Sequence, residues 1–384
     1  MKELTEIDSS LDSSYLTFDV NVTETLTGIT QSGSGEVQFF DVPIKMEFPE
    51  SLPKVFKPGM IYKAFLKVSQ RDGLPPVNPQ GKVNVTVTYY TPRSKQITEP
   101  PIEPFWRRRR IIWPSDDEKK LQPLLLDIPM DGVISFPLDI PIDVKRVSMQ
   151  ANYDKASAYL SLQKSHSPSN NYIQVRLLDN ELTAGDTANF EIKATENPNK
   201  IHYQILSKGN IVRSGTKSFS QGSGQKMQVP MDSSMAPKAK LIVYYIRPDG
   251  EIVADGINFN VKGIFSNKVS VKFDKLTAQP QDSLTLQLTA DPGSKVNVLA
   301  VDKSVLLLKS GNDITPDEVK KELQSYDSST GGTDELTPFW LWRWPMPSGG
   351  NDASEVFDKA GLTVITDANL YKYTEYTHMY TPTL

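Results

Sequence analysis

The sequence contains no cysteine, and that absence excludes several kinds of chemistry. Disulfides, thiolate nucleophiles, thiolate zinc sites and thioesters all require a cysteine sulfur. Histidine is scarce as well, since only His166, His202 and His378 occur and they lie far apart along the chain. Scattered histidines are typical of surface or turn positions, so we expect neither a metal site nor a cofactor.

Long apolar runs and a strong excess of one charge are also missing. No run reaches the roughly 18 apolar residues that a transmembrane helix needs, and residues 1–8 lack the apolar segment of a signal peptide. The 42 basic and 46 acidic residues nearly balance, which leaves a net charge of −4 and no broad field for nucleic acid or a membrane surface. We therefore expect no nucleic-acid partner, no membrane contact and no export signal in this chain.

The chain does contain a series of short alternating segments. Apolar residues, many of them β-branched or aromatic, alternate with polar ones at 83–90, 189–194, 240–246 and 283–288, which indicates half-buried strands. Glycine- and proline-containing turns such as 248–250 separate these segments. With 384 residues, 38% of them apolar, the chain is long enough to form several cores. We predict an all-β chain of antiparallel sandwiches.

A weak internal repeat predicts how many domains there are. A polar turn followed by an alternating strand recurs at 56–68, 182–192 and 276–286. This spacing corresponds to about 100 residues per copy, the size of one β-sandwich. We therefore place domain boundaries near Pro43, Ala156 and Asn267, and we interpret the segment before Pro43 as the closing strands of a domain whose beginning is missing.

Two short helices are predicted near the C-terminus. Residues 315–318 form a capping box with proline at the first helical position, which predicts a helix that runs to about Tyr326. Asp352 starts a second helix, and Gly361 would end it. From Tyr371 onward there is little apolar periodicity, and we interpret that run as an exposed tail.

The second half of the chain carries several motifs in a fixed order. The most specific is Val-Leu-Ala-Val-Asp-Lys-Ser-Val-Leu-Leu-Leu at 298–308. Together the motifs resemble the α2-macroglobulin and complement protein family over 159–368, and 1–158 match it less closely but in register. The style of the sequence is similar to that of an invertebrate thioester-containing protein. The other motifs that carry the resemblance are 209–216, 235–245, 248–255, 266–269 and 360–368.

This resemblance implies tandem immunoglobulin- or fibronectin-like macroglobulin β-sandwiches. Residues 1–43 would be the C-terminal part of the third macroglobulin domain, 44–156 the fourth, 157–267 the fifth, and 268–384 an incomplete sixth with the start of the bait region. The family's thioester motif, Gly-Cys-Gly-Glu-Gln, is absent, so covalent capture of a target cannot reside in this chain. We expect a scaffold fragment of a secreted thioester-type innate-immune protein or endopeptidase inhibitor.

The same resemblance implies the partners, which are proteases and the missing remainder of the parent chain.

Two alternative functions from other classes of protein stay open. One is an extracellular adhesion or receptor module of tandem immunoglobulin-like sandwiches, and the other is an intracellular binding module, which fits the missing export signal and the missing cysteines. No carboxylate pair or nucleophile with a neighbouring base occurs in a recognisable motif, so we predict no enzymatic activity.

Two regions are candidate protease-susceptible sites, because a protease needs extended and exposed backbone. In the tail, Lys372 offers a site for a trypsin-like enzyme, whereas Tyr373 and Tyr376 offer chymotrypsin-like sites; a merely frayed terminus is the alternative.

The second region is an arginine run that could be processed by a basic-specific protease. A solvated hairpin loop is the favoured interpretation, because acidic residues follow closely and the family's own tetra-arginine site lies in a later domain. The run consists of Arg107, Arg108, Arg109 and Arg110.

Asn21 and Asn84 each begin an Asn-X-Thr triplet, which is the acceptor sequence for N-glycosylation. Such triplets also arise by chance, and both of these lie in segments with the strand pattern. A secreted parent protein would make each a candidate glycan site.

Overall fold

The computed structural model describes residues 15–38, 40, 42–50, 52–77, 79, 81–92, 116–179, 181–219, 224–265, 267–300, 302, 304, 314–327, 346–347 and 350–374. Strands account for 49% of the structure and helices for only 7%, so the prediction of an all-β chain is confirmed. No helix in these ranges combines the length and the apolar character needed to cross a membrane.

The strands are numbered in chain order. They are β1 (Tyr15–Thr23), β2 (Thr30–Gln38), β3 (Ile44–Glu47), β4 (Val55–Phe56), β5 (Ile61–Gln70), β6 (Lys82–Thr91), β7 (Asp117–Lys120), β8 (Leu124–Asp127), β9 (Val133–Asp139), β10 (Arg146–Tyr153), β11 (Ala156–Lys164), β12 (Ile173–Leu177), β13 (Thr187–Ala194), β14 (Lys200–Ser207), β15 (Asn210–Ser218), β16 (Gln225–Pro230), β17 (Lys238–Ile246), β18 (Ile252–Asn260), β19 (Ser270–Phe273), β20 (Leu286–Thr289) and β21 (Met346–Pro347).

Both predicted helices are present where the sequence places them. Helix α1 (Pro316–Ser325) begins at a capping box in which Thr315 and Glu318 exchange hydrogen bonds. Helix α2 (Ala353–Asp358) is capped by Asp352, whose side chain accepts a hydrogen bond from the backbone N–H of Glu355. Both helix starts are confirmed because a cap is a local feature that depends on residues three apart.

The described residues divide into two compact units. The first draws on Met1–Leu52, Tyr62–Leu138 and Asp143–Leu162, and the second on Pro53–Ile61, Asp139–Ile142 and Gln163–Leu384. The division between the units therefore interrupts the chain at several places instead of one. The domain boundaries near Pro43, Ala156 and Asn267 stay predictions.

The first unit has two sheets that enclose a core. Strands β3, β5 and β9 form one sheet, and in the other β6 lies between β10 and the pair β7 and β8. Val85 and Val87 of β6 are fully buried and stand opposite Ala151 and Met149 of β10, which are also fully buried. Because side chains alternate across a strand, the pattern at 83–90 supplies one wall of this core, as the sequence predicts.

The turn before β9 in the first unit requires a glycine. Gly132 has a φ of +70°, and its N–H donates to the carbonyl oxygen of Pro129 with an N···O distance of 2.8 Å. The N–H of Val68 in β5 donates to the carbonyl oxygen of Gly132, also at 2.8 Å. A Cβ atom at position 132 would lie 2.1 Å from the carbonyl oxygen of Val68, which is far inside van der Waals contact. Glycine is therefore needed here for both its backbone angle and its lack of a side chain.

The chain also forms two separate antiparallel ribbons, β1 with β2 and β19 with β20. In β1, every second residue is apolar, and Phe18, Val20 and Val22 remain 51%, 57% and 65% exposed. In the β19 ribbon, Val271 and Phe273 remain 57% and 59% exposed. Each ribbon thus has an amphipathic strand pattern whose apolar face the described part of the chain leaves exposed.

The second unit is a sandwich with a covered outer face. Strands β12, β13 and β16 form one sheet, and β15, β14, β17, β18 and β21 form the other. The core between them contains Phe190 and Phe259, whose rings meet edge to face with centroids 5.4 Å apart. Leu241 and Val243 of β17 also point into this core.

Strand β17 is buried on both faces, which differs from the half-buried strand that the sequence predicts. Leu241, Val243 and Tyr245 face the sandwich core, whereas Ile242 faces a second apolar cluster on the outside of the sheet. Helix α2 supplies part of that cluster through Val356 and other residues. A strand with both faces covered is typically a continuous apolar run, which explains the sequence of β17.

Candidate functional site

Of the predicted protease-susceptible residues, Lys372 and Tyr373 lie within the described chain. The arginine run at 107–110 and Tyr376 lie outside the described residues. Lys372 and Tyr373 belong to a segment of the second unit that follows α2 and lies against the rest of that unit. This segment and its contacts form the candidate functional site.

Helix α2 and the residues after it are held on the outer face of the larger sheet of the second unit. Gly361, with a φ of +71°, ends the helical turn region as the sequence predicts. Leu362, Val364, Ala368 and Leu370 then pack against the second apolar cluster, which comprises Leu206, Ile242, Ile252, Ala254, Val356, Phe357 and Ala360. Burial of this alternating apolar series anchors the chain up to Leu370.

Backbone hydrogen bonds continue the anchoring at Asn369. Its N–H donates to the carbonyl oxygen of Gly250 at 2.8 Å, and its carbonyl oxygen accepts from the N–H of Ile252 at 3.0 Å. Asn369 thereby forms an isolated parallel bridge with Glu251, the residue directly before β18. The segment enters the site as a short added strand, so its direction is fixed before it reaches Tyr371.

The backbone on both sides of Lys372 is engaged. The carbonyl oxygen of Tyr371 accepts a hydrogen bond from the N–H of Ser354 at 3.2 Å, and the N–H of Tyr373 donates to Oδ2 of Asp352 at 2.6 Å. The Lys372 side chain is 73% exposed, and its Nζ lies 3.9 Å from Oδ2 of Asp358, a contact that contributes little in water. The sequence predicts an exposed tail from Tyr371 onward. At this point the side chain of Lys372 is exposed as predicted, but the backbone of the neighbouring residues is hydrogen-bonded to the rest of the unit.

Asp352 is the centre of this docking. Its Oδ1 accepts from the backbone N–H of Glu355 at 2.8 Å and caps α2, while its Oδ2 accepts from Tyr373. The residue is only 5% exposed, so its charge is compensated mainly by these two N–H groups. Hydrogen bonds to an ionised acceptor are shorter and stronger than neutral ones, in agreement with the 2.6 Å distance to Tyr373.

His166 covers the ring of Tyr373. The two rings stack with centroids 3.5 Å apart and an angle of 4° between their planes. His166 is held in place by Asn351, whose carbonyl oxygen accepts from the backbone N–H of His166 at 2.5 Å and from the hydroxyl of Ser165 at 3.0 Å. Tyr373 is therefore bound through its backbone by Asp352 and through its ring by His166.

Burial lowers the pKa of His166 from its usual value near 6.5, and the positive charge of Lys164 adds to that shift. The carboxylate of Asp352 acts in the opposite direction but does not reverse it. The folded protein therefore disfavours the protonated ring more than the unfolded chain does. The contribution of neutral His166 to the stability of the fold around Tyr373 is complete above the usual pKa, and it is lost progressively as the pH falls through that value toward the lowered pKa.

We accordingly expect the amide of Tyr373 to lose protection against hydrogen exchange when the pH falls from about 7.5 to about 5.5, after correction for the intrinsic exchange rate. The H166F variant keeps an aromatic face but removes the titrating group. Its Tyr373 amide should show no such change, and an equal loss of protection in H166F would assign the pH dependence to another group.

A cavity of about 20 Å³ lies beneath the docked segment. This volume accommodates about one water molecule, so the cavity is too small for an organic ligand. Its lining includes His166, Ser167, Asp352 and Tyr371 from the site itself and Glu251 directly before β18. The hydroxyl of Ser167 donates to Oε1 of Glu251 at 2.7 Å, which ties the turn after β11 to β18.

Lys57 also lines this cavity and is the least expected residue in it. Its ammonium group lies 2.6 Å from Oδ1 of Asp255 and donates to the carbonyl oxygens of Ile173 at 2.9 Å and Ala254 at 3.1 Å. The second oxygen of Asp255 accepts from the N–H of Val175 at 2.8 Å. Burial lowers the pKa of Lys57, and the attraction of Asp255 opposes that shift.

The two predicted glycosylation residues lie on strands of the first unit, and both are exposed. Asn21 is in β1, where its Oδ1 accepts a hydrogen bond from the hydroxyl of Ser32 at 2.7 Å. Asn84 is in β6, opposite Asn152 of β10 and Leu125 of β8. Within the described ranges, no three histidine or carboxylate side chains come close enough together to hold a metal ion.

Comparison with known families gives one match to a family model. The model is described as the alpha-2-macroglobulin bait region domain, and it matches residues 173–308. These residues comprise most of the sandwich of the second unit and continue through the β19 and β20 ribbon. The match ends before α1 and the docked segment.

Curated relatives extend the similarity over most of the chain. Complement C3 of Lethenteron camtschaticum is 29% identical over 262 residues, which cover 65% of this chain and 15% of that protein. Cobra venom factor of Naja kaouthia is 27% identical over 360 residues, 90% of this chain and 19% of that protein. Alpha-2-macroglobulin-like protein 1 of Mus musculus is 30% identical over 173 residues, 42% of this chain and 12% of that protein. The chain therefore spans less than a fifth of the length of each of these relatives.

Proposed function

The chain belongs to the alpha-2-macroglobulin/complement family, and from this premise we propose that it is a scaffold fragment of a secreted thioester-type innate-immune protein or endopeptidase inhibitor. We further propose that the segment around Lys372 begins a protease-susceptible bait region. The fragment supplies spacing and surfaces, and the reactive group of the parent protein belongs to parts of it outside this chain.

The observation that carries this proposal is the placement of Lys372. Its side chain is 73% exposed, and it follows directly on the residues that pack against the second unit. A trypsin-like enzyme selects an exposed cationic side chain, and two hydrogen bonds are the main backbone anchors on either side of it. Lysines within the sheets are held by many more backbone hydrogen bonds, so local opening costs less at Lys372.

The exposed ribbons support the proposal that the end domains are incomplete. We propose that 1–43 is the end of a third macroglobulin domain and that 268–384 is part of a sixth, with a fourth and a fifth domain at 44–156 and 157–267. The remainder of the parent chain would then cover the apolar faces at Phe18 and Phe273. A venom factor among the relatives supports secretion, and the exposure of Asn21 and Asn84 is compatible with glycans there.

Limited trypsin digestion tests the bait proposal. We expect trypsin to cut after Lys372 at a rate at least about tenfold higher than after Lys262. The backbone N–H and carbonyl oxygen of Lys262 both pair with residues 182–184, whereas two hydrogen bonds are the main backbone anchors next to Lys372. Mass spectrometry of the intact products identifies the fragment that ends at Lys372.

The matched controls are K372Q, which should abolish this product, and K262Q, which should leave it unchanged. Lys262 is a suitable control because its side chain is 64% exposed, while its backbone N–H donates to Leu182 at 2.8 Å. Resistance of the wild-type protein at Lys372, with earlier cuts within the sandwiches, contradicts the bait proposal and favours an extracellular adhesion module of tandem sandwiches.

A further inference from the structure

Proteases bind their substrates as extended strands, so the backbone groups next to the scissile bond must be free to pair with the enzyme. For cleavage after Lys372, these groups include the carbonyl oxygen of Tyr371 and the N–H of Tyr373. The first accepts from Ser354 and the second donates to Asp352. The docked segment therefore cannot enter a protease cleft without first leaving the second unit.

The engagement of Tyr373 combines two independent contacts. Asp352 is almost fully buried and directs one carboxylate oxygen to the N–H of Tyr373 at 2.6 Å. His166 presents its ring face to the ring of Tyr373 at 3.5 Å. One contact is a hydrogen bond to the backbone and the other is a stack on the side chain, so Tyr373 is held from two directions.

We propose that Asp352 and His166 form a latch that keeps the Lys372–Tyr373 peptide bond in a protease-resistant state and that release of this latch controls cleavage. The latch rests on the proposed bait function, because it regulates the same segment. Asp352 and His166 are positioning residues here, since they act on the scissile bond only by holding Tyr373.

The two roles of Asp352 can be separated by one substitution. Asparagine is as good a helix cap as aspartate, and its single side-chain oxygen can still accept from Glu355. It then presents an amide NH₂ group to the N–H of Tyr373, and two donors cannot pair. The D352N variant should therefore keep α2 and lose the latch.

The experiment uses the full chain with two readouts. Hydrogen exchange of the Tyr373 amide reports the latch without any protease, and the initial rate of trypsin cleavage after Lys372 reports its effect. In D352N we expect both rates to rise about tenfold or more, the usual effect of losing a hydrogen bond to an ionised group. Exchange of the amides in α2 and β17 should stay unchanged, which shows that the unit remains folded.

The matched control is D358N, which removes an exposed carboxylate near Lys372 but leaves the Tyr373 backbone contact intact. Both rates should stay within about twofold of the wild type, because exposed ion pairs contribute little. H166A removes the stacking face without changing the cap, and both rates should again rise. This second variant tests the latch even if D352N fails to fold.

The outcomes separate the latch from the bait proposal. Wild-type rates of exchange and cleavage in both D352N and H166A overturn the latch, while cleavage after Lys372 still supports the bait region. Faster exchange in both variants with no cleavage after Lys372 in any of them overturns the bait region and the control of cleavage, and supports only the docking of Tyr373 by Asp352 and His166. Faster exchange together with faster cleavage supports both.

Discussion

Replacing either member of the Lys57–Asp255 pair is expected to destabilise the second unit by about 3–5 kcal/mol, because a buried charge left without its partner is strongly unfavourable. The side chains of Lys57 and Asp255 are only 13% and 7% exposed, and their charged atoms lie 2.6 Å apart. We propose K57M and D255N as the single changes. Urea unfolding monitored by hydrogen exchange of the β17 amides measures the loss.

The double variant K57M/D255N makes this prediction specific to the pair. It should lose clearly less stability than the sum of the two single changes, because no charge is left unpaired in it. The matched control is the exposed pair Lys82 and Asp127, whose side chains are 50% and 80% exposed with the charged atoms 3.2 Å apart. K82Q should cost no more than about 1 kcal/mol. Additive losses in the double variant would contradict a coupled pair.

G132A is expected to be the most damaging small substitution in the first unit. The new methyl group would meet the carbonyl oxygen of Val68 at 2.1 Å, and the backbone angle of +70° would also be strained. A positive φ alone costs about 1–2 kcal/mol for alanine. The clash adds to it, because β5 and the turn before β9 must separate and the Val68 to Gly132 hydrogen bond is lost. We expect a total above about 4 kcal/mol, measured as a loss of thermal stability or of soluble protein.

G73A is the matched control for the backbone angle. Gly73 has a φ of +85°, and a Cβ atom at that position would have no neighbour within 4 Å. G73A should therefore show only the cost of the angle. Equal effects of G132A and G73A would mean that the turn before β9 moves freely, which would contradict the close approach of Val68.

Features that depend on neighbouring residues could be predicted from the sequence. Strands β6 and β13 follow from alternation, and the starts of α1 and α2 follow from their caps, because these patterns repeat within a few residues. Asp352 was recognisable as a cap for the same reason. The acceptor role of its second oxygen was not, since Tyr373 is 21 residues away.

Features that depend on distant partners could not be predicted. Lys57 belongs to a Lys-Pro-Gly sequence that is typical of a solvated turn, and nothing near it indicates burial. Its hydrogen bond to Ala254 joins residues 197 apart. The burial of the outer face of β17 could not be predicted either, because the residues that cover Ile242 come from α2 and the segment after it.

The covering of Ile242, Ile252 and Ala254 by a helix and a loop, instead of by another sheet, has a mechanical consequence. The backbone hydrogen bonds that join β14, β17 and β18 involve no residue of α2, so the pairing of these strands does not require the helix. Loss of that cover alone would expose an apolar surface on a sandwich whose strands stay paired.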